Sequence, residues 1–262
     1  MKHALNFATE LARQTGELLM KYYQPAGIRA NVKADHTAVT EADLAADALI
    51  RAAIKDQYPD DGLISEESGS ICPTGKPIVW VVDPLDGTTN FSLGLHYWGV
   101  SIARLVDGEP DTAALYFPLL NELFTAQRGE GAFLNGESLQ TKPPNKDNPF
   151  SFFICCSRTH QRYKIKVPYK TRILGSAAYG LCTVARGSAM LALEATPKIW
   201  DFAGSWLVTR EAGGVVQFLD DGSPFPLIEE VDYTNKGFSI LMAATPEVAA
   251  RARRNITPRR DE

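Results

Sequence analysis

Ile78-Val79-Trp80-Val81-Val82-Asp83-Pro84-Leu85-Asp86-Gly87-Thr88-Thr89-Asn90-Phe91 decides how this chain is read. Its first five residues form a short apolar run rich in β-branched side chains, which predicts a buried strand ending at Asp83. Pro84 has no amide hydrogen to continue a ladder and fixes its own φ, so the chain must turn and the Leu85 carbonyl is free to point away from the sheet. Gly87 supplies whatever conformation the tight turn demands. Two carboxylates three residues apart on such a bend repel each other unless positive charge lies between them, and a divalent cation is the simplest source. All the donors are oxygens, which suits magnesium, manganese or calcium and argues against zinc or copper. The competing reading is an Asx-type turn in which each aspartate only caps local amides.

Acids from three other places bear on the choice. Ile64-Ser65-Glu66-Glu67-Ser68-Gly69 follows an apolar stretch and puts Glu66 or Glu67 near the same strand ends; adjacent side chains diverge, so only one of the two is expected to be a ligand. Thr40-Glu41-Ala42-Asp43 reads as a capping box with Thr40 as N-cap and Asp43 at the third helical position, flanked by Val39 and Leu44 as a hydrophobic staple. Capping alone would account for Asp43. Asp201, in Trp200-Asp201-Phe202-Ala203-Gly204, opens a helix that runs to a Gly213-Gly214 stop, where an aspartate is favoured by the helix dipole in any case.

Taken in order, Glu66-Glu67-Ser68, the Trp80 to Phe91 stretch, Trp200-Asp201 and Glu211-Ala212-Gly213-Gly214 resemble the signatures of the inositol monophosphatase family over nearly the whole chain. The Thr-Thr-Asn-Phe ending is similar to that branch rather than to the 3′-phosphoadenosine-5′-phosphate phosphatase branch, which usually carries Thr-Lys-Glu-Phe. The resemblance implies a mixed α/β fold with the layered α-β-α-β-α sugar-phosphatase architecture, often dimeric, and a magnesium-dependent, lithium-sensitive phosphomonoesterase. It assigns Glu66, Asp83 and the Leu85 carbonyl to a first magnesium, and Asp83, Asp86 and Asp201 to a second. Asp43 would orient a water and hydrogen-bond Thr88, while Glu66 and Thr88 would position the attacking water. Asp86, Gly87, Thr88 and Asp201 would also face the substrate.

Further substrate contacts follow from the same likeness. Gly175-Ser176-Ala177-Ala178 matches a small-residue turn whose amides approach substrate hydroxyls, although Ser176 also reads as an ordinary helix cap. Glu194 stands seven residues before Asp201, as does the family's hydroxyl-accepting glutamate, in a stretch that reads as helical. The segment from Ser157-Arg158-Thr159 to Gly175 is shorter than in animal inositol monophosphatases, a departure that leaves the shape of the substrate mouth, and with it inositol specificity, undecided by the resemblance. Inositol monophosphate or a similar small polyol phosphate is the expected substrate. Fructose 1,6-bisphosphate and histidinol phosphate are the alternatives on the same scaffold, and a regulatory binding protein is the alternative of another class.

The chain of 262 residues, 45% hydrophobic and 22% charged, is long enough for a sizeable core and reads as one unit, 1–262, with halves near 1–140 and 141–262 and the site between them. A net charge of −4 gives no general attraction to nucleic acid, and the cluster Arg251, Arg253, Arg254, Arg259, Arg260 reads as a solvated helix end with a frayed terminus. Cys72, Cys155, Cys156 and Cys182 lack disulfide or zinc spacing, and His3, His36, His96 and His160 have no evident partners, so a thiol or hydroxyl nucleophile is not expected. The first 22 residues form an interrupted amphipathic pattern rather than a signal peptide, and no run is long enough to span a membrane, so a cytoplasmic location is expected. Helices are predicted over Ala4 to Tyr23 and Thr40 to Gln57, joined by a polar, mobile segment with Lys33, Asp35 and His36. Asp107-Gly108 and Asn135-Gly136 are hairpin signals.

Overall fold

The computed structural model describes residues 2–32, 38–145, 150–220 and 222–259. The predicted linker residues Lys33, Asp35 and His36, and the terminal Arg260, lie outside this set. Seven α-helices are described: α1 (Lys2–Tyr22), α2 (Glu41–Gln57), α3 (Thr88–Ser92), α4 (Thr159–Arg162), α5 (Ala177–Ala185), α6 (Ile199–Glu211) and α7 (Pro246–Asn255). β1 (Asn31–Val32) pairs with β2 (Ala38–Val39). A seven-stranded sheet follows in sequence order: β3 (Gly62–Ser65), β4 (Ile78–Asp86), β5 (Gly99–Val106), β6 (Glu109–Phe117), β7 (Glu122–Gln127), β8 (Gly131–Leu134) and β9 (Glu137–Leu139). Only its first pair is parallel.

The second half contributes β10 (Phe152–Cys155), β11 (Tyr163–Ile165), β12 (Lys170–Arg172), β13 (Ala189–Glu194), β14 (Val215–Phe218), β15 (Ile240–Ala243) and β16 (Ile256–Pro258). Five of these form a mixed sheet in the order β12-β10-β13-β15-β14, while β11 and β16 pair separately. α1 and α2 cover one face of the larger sheet, α6 covers its other face and reaches β14, α5 packs against α6 and on β10 and β13 of the smaller sheet, and α7 packs on β13 and β15. The layers are therefore α-β-α-β-α, as the resemblance implies.

Burial explains the layering. Ala4, Ala8, Leu11, Ala12, Thr15 and Leu19 recur at helical spacing, so α1 presents a continuous buried stripe. In β4, Trp80 and Val82 join the core under α1 and α2, whereas Val79 and Val81 enter the core toward the second sheet. Val100 and Ile102 against Ala103 and Leu105 repeat this division in β5. A strand buried on both faces needs an apolar residue at every position, which is why the run before Asp83 shows no alternation.

Two expectations are corrected here. The β4 strand does not end at Asp83 but continues to Asp86: Asp83 pairs with Ser101 and Asp86 with Gly99, so Pro84 and Leu85 together face one residue of β5. This is a bulge, a place where a strand accommodates proline and re-aims its side chains. Glu194 is not helical; it ends β13, whose sequence Ala-Met-Leu-Ala-Leu-Glu is made of good helix formers. Pairing with β10 on one side and β15 on the other overrides that preference.

The hairpin signals hold, since Asp107, Gly108, Asn135 and Gly136 all have positive φ. Thr245 caps α7. The C-terminal end departs from the frayed expectation: β16 pairs with β11 in register Lys164 to Thr257. Among the described residues no helix is long and apolar enough to cross a membrane.

Candidate metal and phosphate site

Asp83, Asp86, Gly87 and Thr88 come to the site on one bulged turn. The Leu85 amide donates to Asp83 Oδ1 at 3.0 Å. The Asx reading thus applies to one Asp83 oxygen and leaves the other for the site. Gly87 sits at φ 85° and caps the short helix α3, whose first residue is Thr88. The Thr88 hydroxyl lies 2.9 Å from Asp43 Oδ1 and 3.0 Å from the Leu85 carbonyl oxygen.

Asp43 arrives from α2, and capping and site roles coincide in it. Thr40 caps the helix, its amide and hydroxyl donate to Asp43 Oδ2 at 2.8 and 2.6 Å, and the other Asp43 oxygen faces Thr88. Leu44, the proposed staple partner, is 55% exposed.

Glu66 follows β3, where its amide donates to Val82 O at 3.2 Å beside Asp83. The flanking Ser65 and Ser68 hydroxyls both bind Asp47 Oδ1, at 2.6 and 3.0 Å, which fixes the loop. Asp201 lies in the first turn of α6 and accepts from the Lys198 amide at 2.7 Å.

Glu66, Asp83 and Asp201 each offer an oxygen, and these oxygens lie within 4.8 Å of one another. Asp83 is buried and the other two are partly so. Burial pushes the Asp83 carboxyl well above the usual range, and the charges of Glu66, Asp86 and Asp201 push it further. Burial does the same to Asp201, again with Glu66 and Asp86 adding to it. Three converging carboxylates, with no amine, imidazole or thiol donor among them, have the chemistry of a hard divalent cation site.

Asp86 faces the same cleft but makes different contacts. Its carboxylate accepts from the Ser176 hydroxyl and from the Ala177 and Ala178 amides, the latter at 3.0 and 3.3 Å. Burial pushes its pKa up to about 6 against the pull of those hydrogen bonds. Ser176 is the N-cap of α5, with its oxygen accepting from Tyr179 N at 3.2 Å. The Ala177 amide, expected to meet substrate hydroxyls, is thus committed to Asp86, because a carboxylate at a helix N-terminus is a better acceptor.

The cleft has a volume of about 410 Å³. Both sheets line it: Glu66, Asp86 and Thr88 from the first half, Gly175, Ser176 and Glu194 from the second. Glu194 is 5% exposed, and burial, then the neighbouring Cys156 and Asp86, push its carboxyl well above the usual range.

Three further residues at the cleft escape the sequence reading. Asn90 donates from Nδ2 to Tyr97 O at 2.6 Å and to Leu174 O at 2.7 Å, stitching the Asp83 to Thr88 turn to the Gly175 turn. Its place inside the Thr-Thr-Asn-Phe run is the only signal that could have flagged it. Cys156 lies just past β10 against Thr159 Oγ1 at 3.1 Å. Burial raises this thiol, yet hydrogen bonds with Thr159 and the Ala195 backbone outweigh it and leave its pKa lowered. Arg158 reaches Thr196 Oγ1 at 3.2 Å from the rim. All four cysteines are free thiols. Cys155 Sγ lies 3.7 Å from His160 Nε2, but burial pushes that thiol up to about 12, which is not the profile of a nucleophile. His96 is an exposed loop residue.

Residues 1–257 match the model of the inositol monophosphatase family. The chain is 38% identical over 238 residues to Nus factor SuhB of Escherichia coli K12, covering 87% of this chain and 89% of that protein. The SuhB protein of Bartonella henselae superposes with a TM-score of 0.80 at 28% identity, covering 95% and 96% of the two chains. The inositol monophosphatase of Anabaena does so with a TM-score of 0.76 at 25% identity, covering 98% and 97%. On the strength of these matches and of the acid constellation at the strand ends, the chain belongs to the inositol monophosphatase family.

Proposed function

We propose that this protein is a magnesium-dependent phosphomonoesterase acting on a small phosphorylated polyol or sugar such as inositol monophosphate. The observation that carries the reading is the convergence of Glu66, Asp83 and Asp201 within 4.8 Å in a cleft closed on its far side by Gly175 to Ala177. Burial and mutual repulsion raise Asp83 and Asp201, which is the imbalance a cation relieves.

Glu66, Asp83 and the Leu85 carbonyl would hold one magnesium; Asp83, Asp86 and Asp201 would hold a second. When bound, such ions lower the pKa of a water and neutralise charge on a leaving oxygen. The protein's own residues supply the orientation. With the Leu85 carbonyl engaged, the Thr88 proton has Asp43 as its acceptor, so a Thr88 lone pair is free to receive a proton from water. Glu66 reaches the same cleft from the turn after β3, and these two would align water for in-line attack. No covalent intermediate is required.

Glu194, nearly out of solvent at the cleft wall, would accept hydrogen bonds from substrate hydroxyls. Lithium is expected to inhibit by competing at the Asp83, Asp86 and Asp201 position. A role in contacting a macromolecule, beside hydrolysis, is the second reading, favoured by the Nus factor name of the Escherichia coli relative.

The test is phosphate release from inositol 1-phosphate, fructose 1,6-bisphosphate, histidinol phosphate and 3′-phosphoadenosine 5′-phosphate, with magnesium and with chelator. Turnover that needs magnesium and disappears in Asp86→Asn supports the reading, and the best substrate fixes the branch. Absence of turnover on all four by folded, magnesium-binding protein would move the weight to the second reading.

A further inference from the structure

The stretch 158–172 carries six lysines and arginines and no acid, in a chain whose net charge is −4. Its exposure alternates with period two. Arg162, Lys164, Lys166 and Lys170 are exposed, while Tyr163, Ile165, Val167 and Tyr169 are buried or half-buried. Every outward position from 162 to 170 is therefore a cation except Pro168. Arg172 extends the row along the edge strand β12, whose three residues are all exposed.

The C-terminal arginines join this row. β16 pairs with β11, and two further backbone bonds extend the seam, Lys166 N to Asn255 O at 2.9 Å and Arg259 N to Arg162 O at 2.7 Å. Burial raises the Tyr169 pKa, and Arg251 on α7 is close enough to pull against that rise. Two cationic segments far apart in sequence thus make one apron. No ion pair among the described residues engages Arg162, Lys164, Lys166, Lys170, Arg251 or Arg254. Like charges gathered on one surface of a net-negative protein carry a repulsive cost that a polyanion removes.

We infer that this apron binds the phosphodiester backbone of a single-stranded nucleic acid. The cations are spread from the end of α4 through β11 and the bend at 168–169 to β12, a row that suits the repeated phosphates of one strand rather than a point anion. An acidic protein partner fits less well, because protein interfaces need a central apolar or aromatic patch. Here the alternate residues that would form one face inward. Phosphate binding by lysine and arginine needs no such patch. This inference concerns a surface outside the metal cleft and is independent of the hydrolytic reading.

The experiment is fluorescence anisotropy of labelled 20-nucleotide oligo(U) and oligo(dT) with the full chain, from 50 to 200 mM salt. Lys164→Glu/Lys166→Glu and Arg251→Glu/Arg254→Glu are compared with wild type, and thermal melts confirm folding. About five phosphate contacts predict a loss of about a hundredfold in affinity over that salt range. Each charge-reversed pair is expected to weaken binding about tenfold or more, with phosphatase turnover unchanged. Should one pair fail to fold, the other decides; Lys170→Glu/Arg172→Glu is the reserve. Binding that is absent, or equal in wild type and folded variants, overturns the inference. So does capture of polyglutamate or anionic vesicles in preference to both oligonucleotides.

Discussion

The Thr88 hydroxyl stands 2.9 Å from the Asp43 carboxylate, which joins the first residue of α3 to the first turn of α2 across the acidic turn. A hydroxyl has one proton, so the partner that takes it decides where the oxygen's lone pairs point. Asp43 is held from behind by the Thr40 amide and hydroxyl and cannot swing away without unmaking its own cap.

Asp43→Asn and Thr88→Ala should each lower kcat by about 10²- to 10³-fold, the usual worth of a positioned proton acceptor, with KM little changed. Because the two act through one hydrogen bond, the double variant should be no slower than the worse single one. Thr88→Ser should recover most of the rate. Steady-state kinetics check this, and additive losses would separate the pair.

Ser176→Ala should shift the acid limb of the pH profile to higher pH at subsaturating magnesium. The Ser176 hydrogen bond holds Asp86 down against its burial, and without it the carboxylate protonates more readily. A limb that stays in place or moves to lower pH contradicts this.

Stability of the chelator-treated protein should fall as pH rises. Asp86 titrates near 6 when folded and near its ordinary 3.8 when unfolded. Between these values the folded state binds the extra proton, so stability is greater at low pH and is lost as pH rises through about 6. For Asp86 alone the difference is roughly 3 kcal/mol. Raised Asp83, Asp201 and Glu194 act in the same direction. Calorimetric melts in chelator should show Tm several degrees higher at pH 5.5 than at pH 7.5, with magnesium restoring most at pH 7.5. A Tm that rises with pH contradicts the ledger of charges.

Gly87→Ala should cost about 1–3 kcal/mol and lower kcat together. Its φ is 85°, and an added Cβ would stand 2.8 Å from the Tyr97 carbonyl oxygen, which is backbone and cannot yield cheaply. Denaturant titration measures the first effect. Unchanged stability would mean that the turn is looser than its dihedrals indicate.

The turn from Asp83 to Thr88 was legible in the sequence because its chemistry is local: proline, glycine and two aspartates constrain one another within a few residues. The Thr40 cap, the hairpins at Gly108 and Gly136 and the opening helices were legible for the same reason. What depends on partners distant in sequence was not. β13 reads as helix until β10 and β15 flank it. The commitment of Asp86 to the α5 N-terminus joins residues about ninety positions apart. The pairing of β16 with β11, which turns a basic tail into part of a surface, is likewise invisible in a linear reading.

The central claim is that Glu66, Asp83 and Asp201 form the cation site on which hydrolysis depends. Its most direct test titrates magnesium back into chelated protein while binding is followed by calorimetry and phosphate release is followed in parallel, for wild type and for Asp83→Asn. The account predicts that wild-type binding and turnover rise together and that folded Asp83→Asn loses both. Turnover by wild type in chelator, or magnesium binding and hydrolysis undiminished in Asp83→Asn, would contradict it.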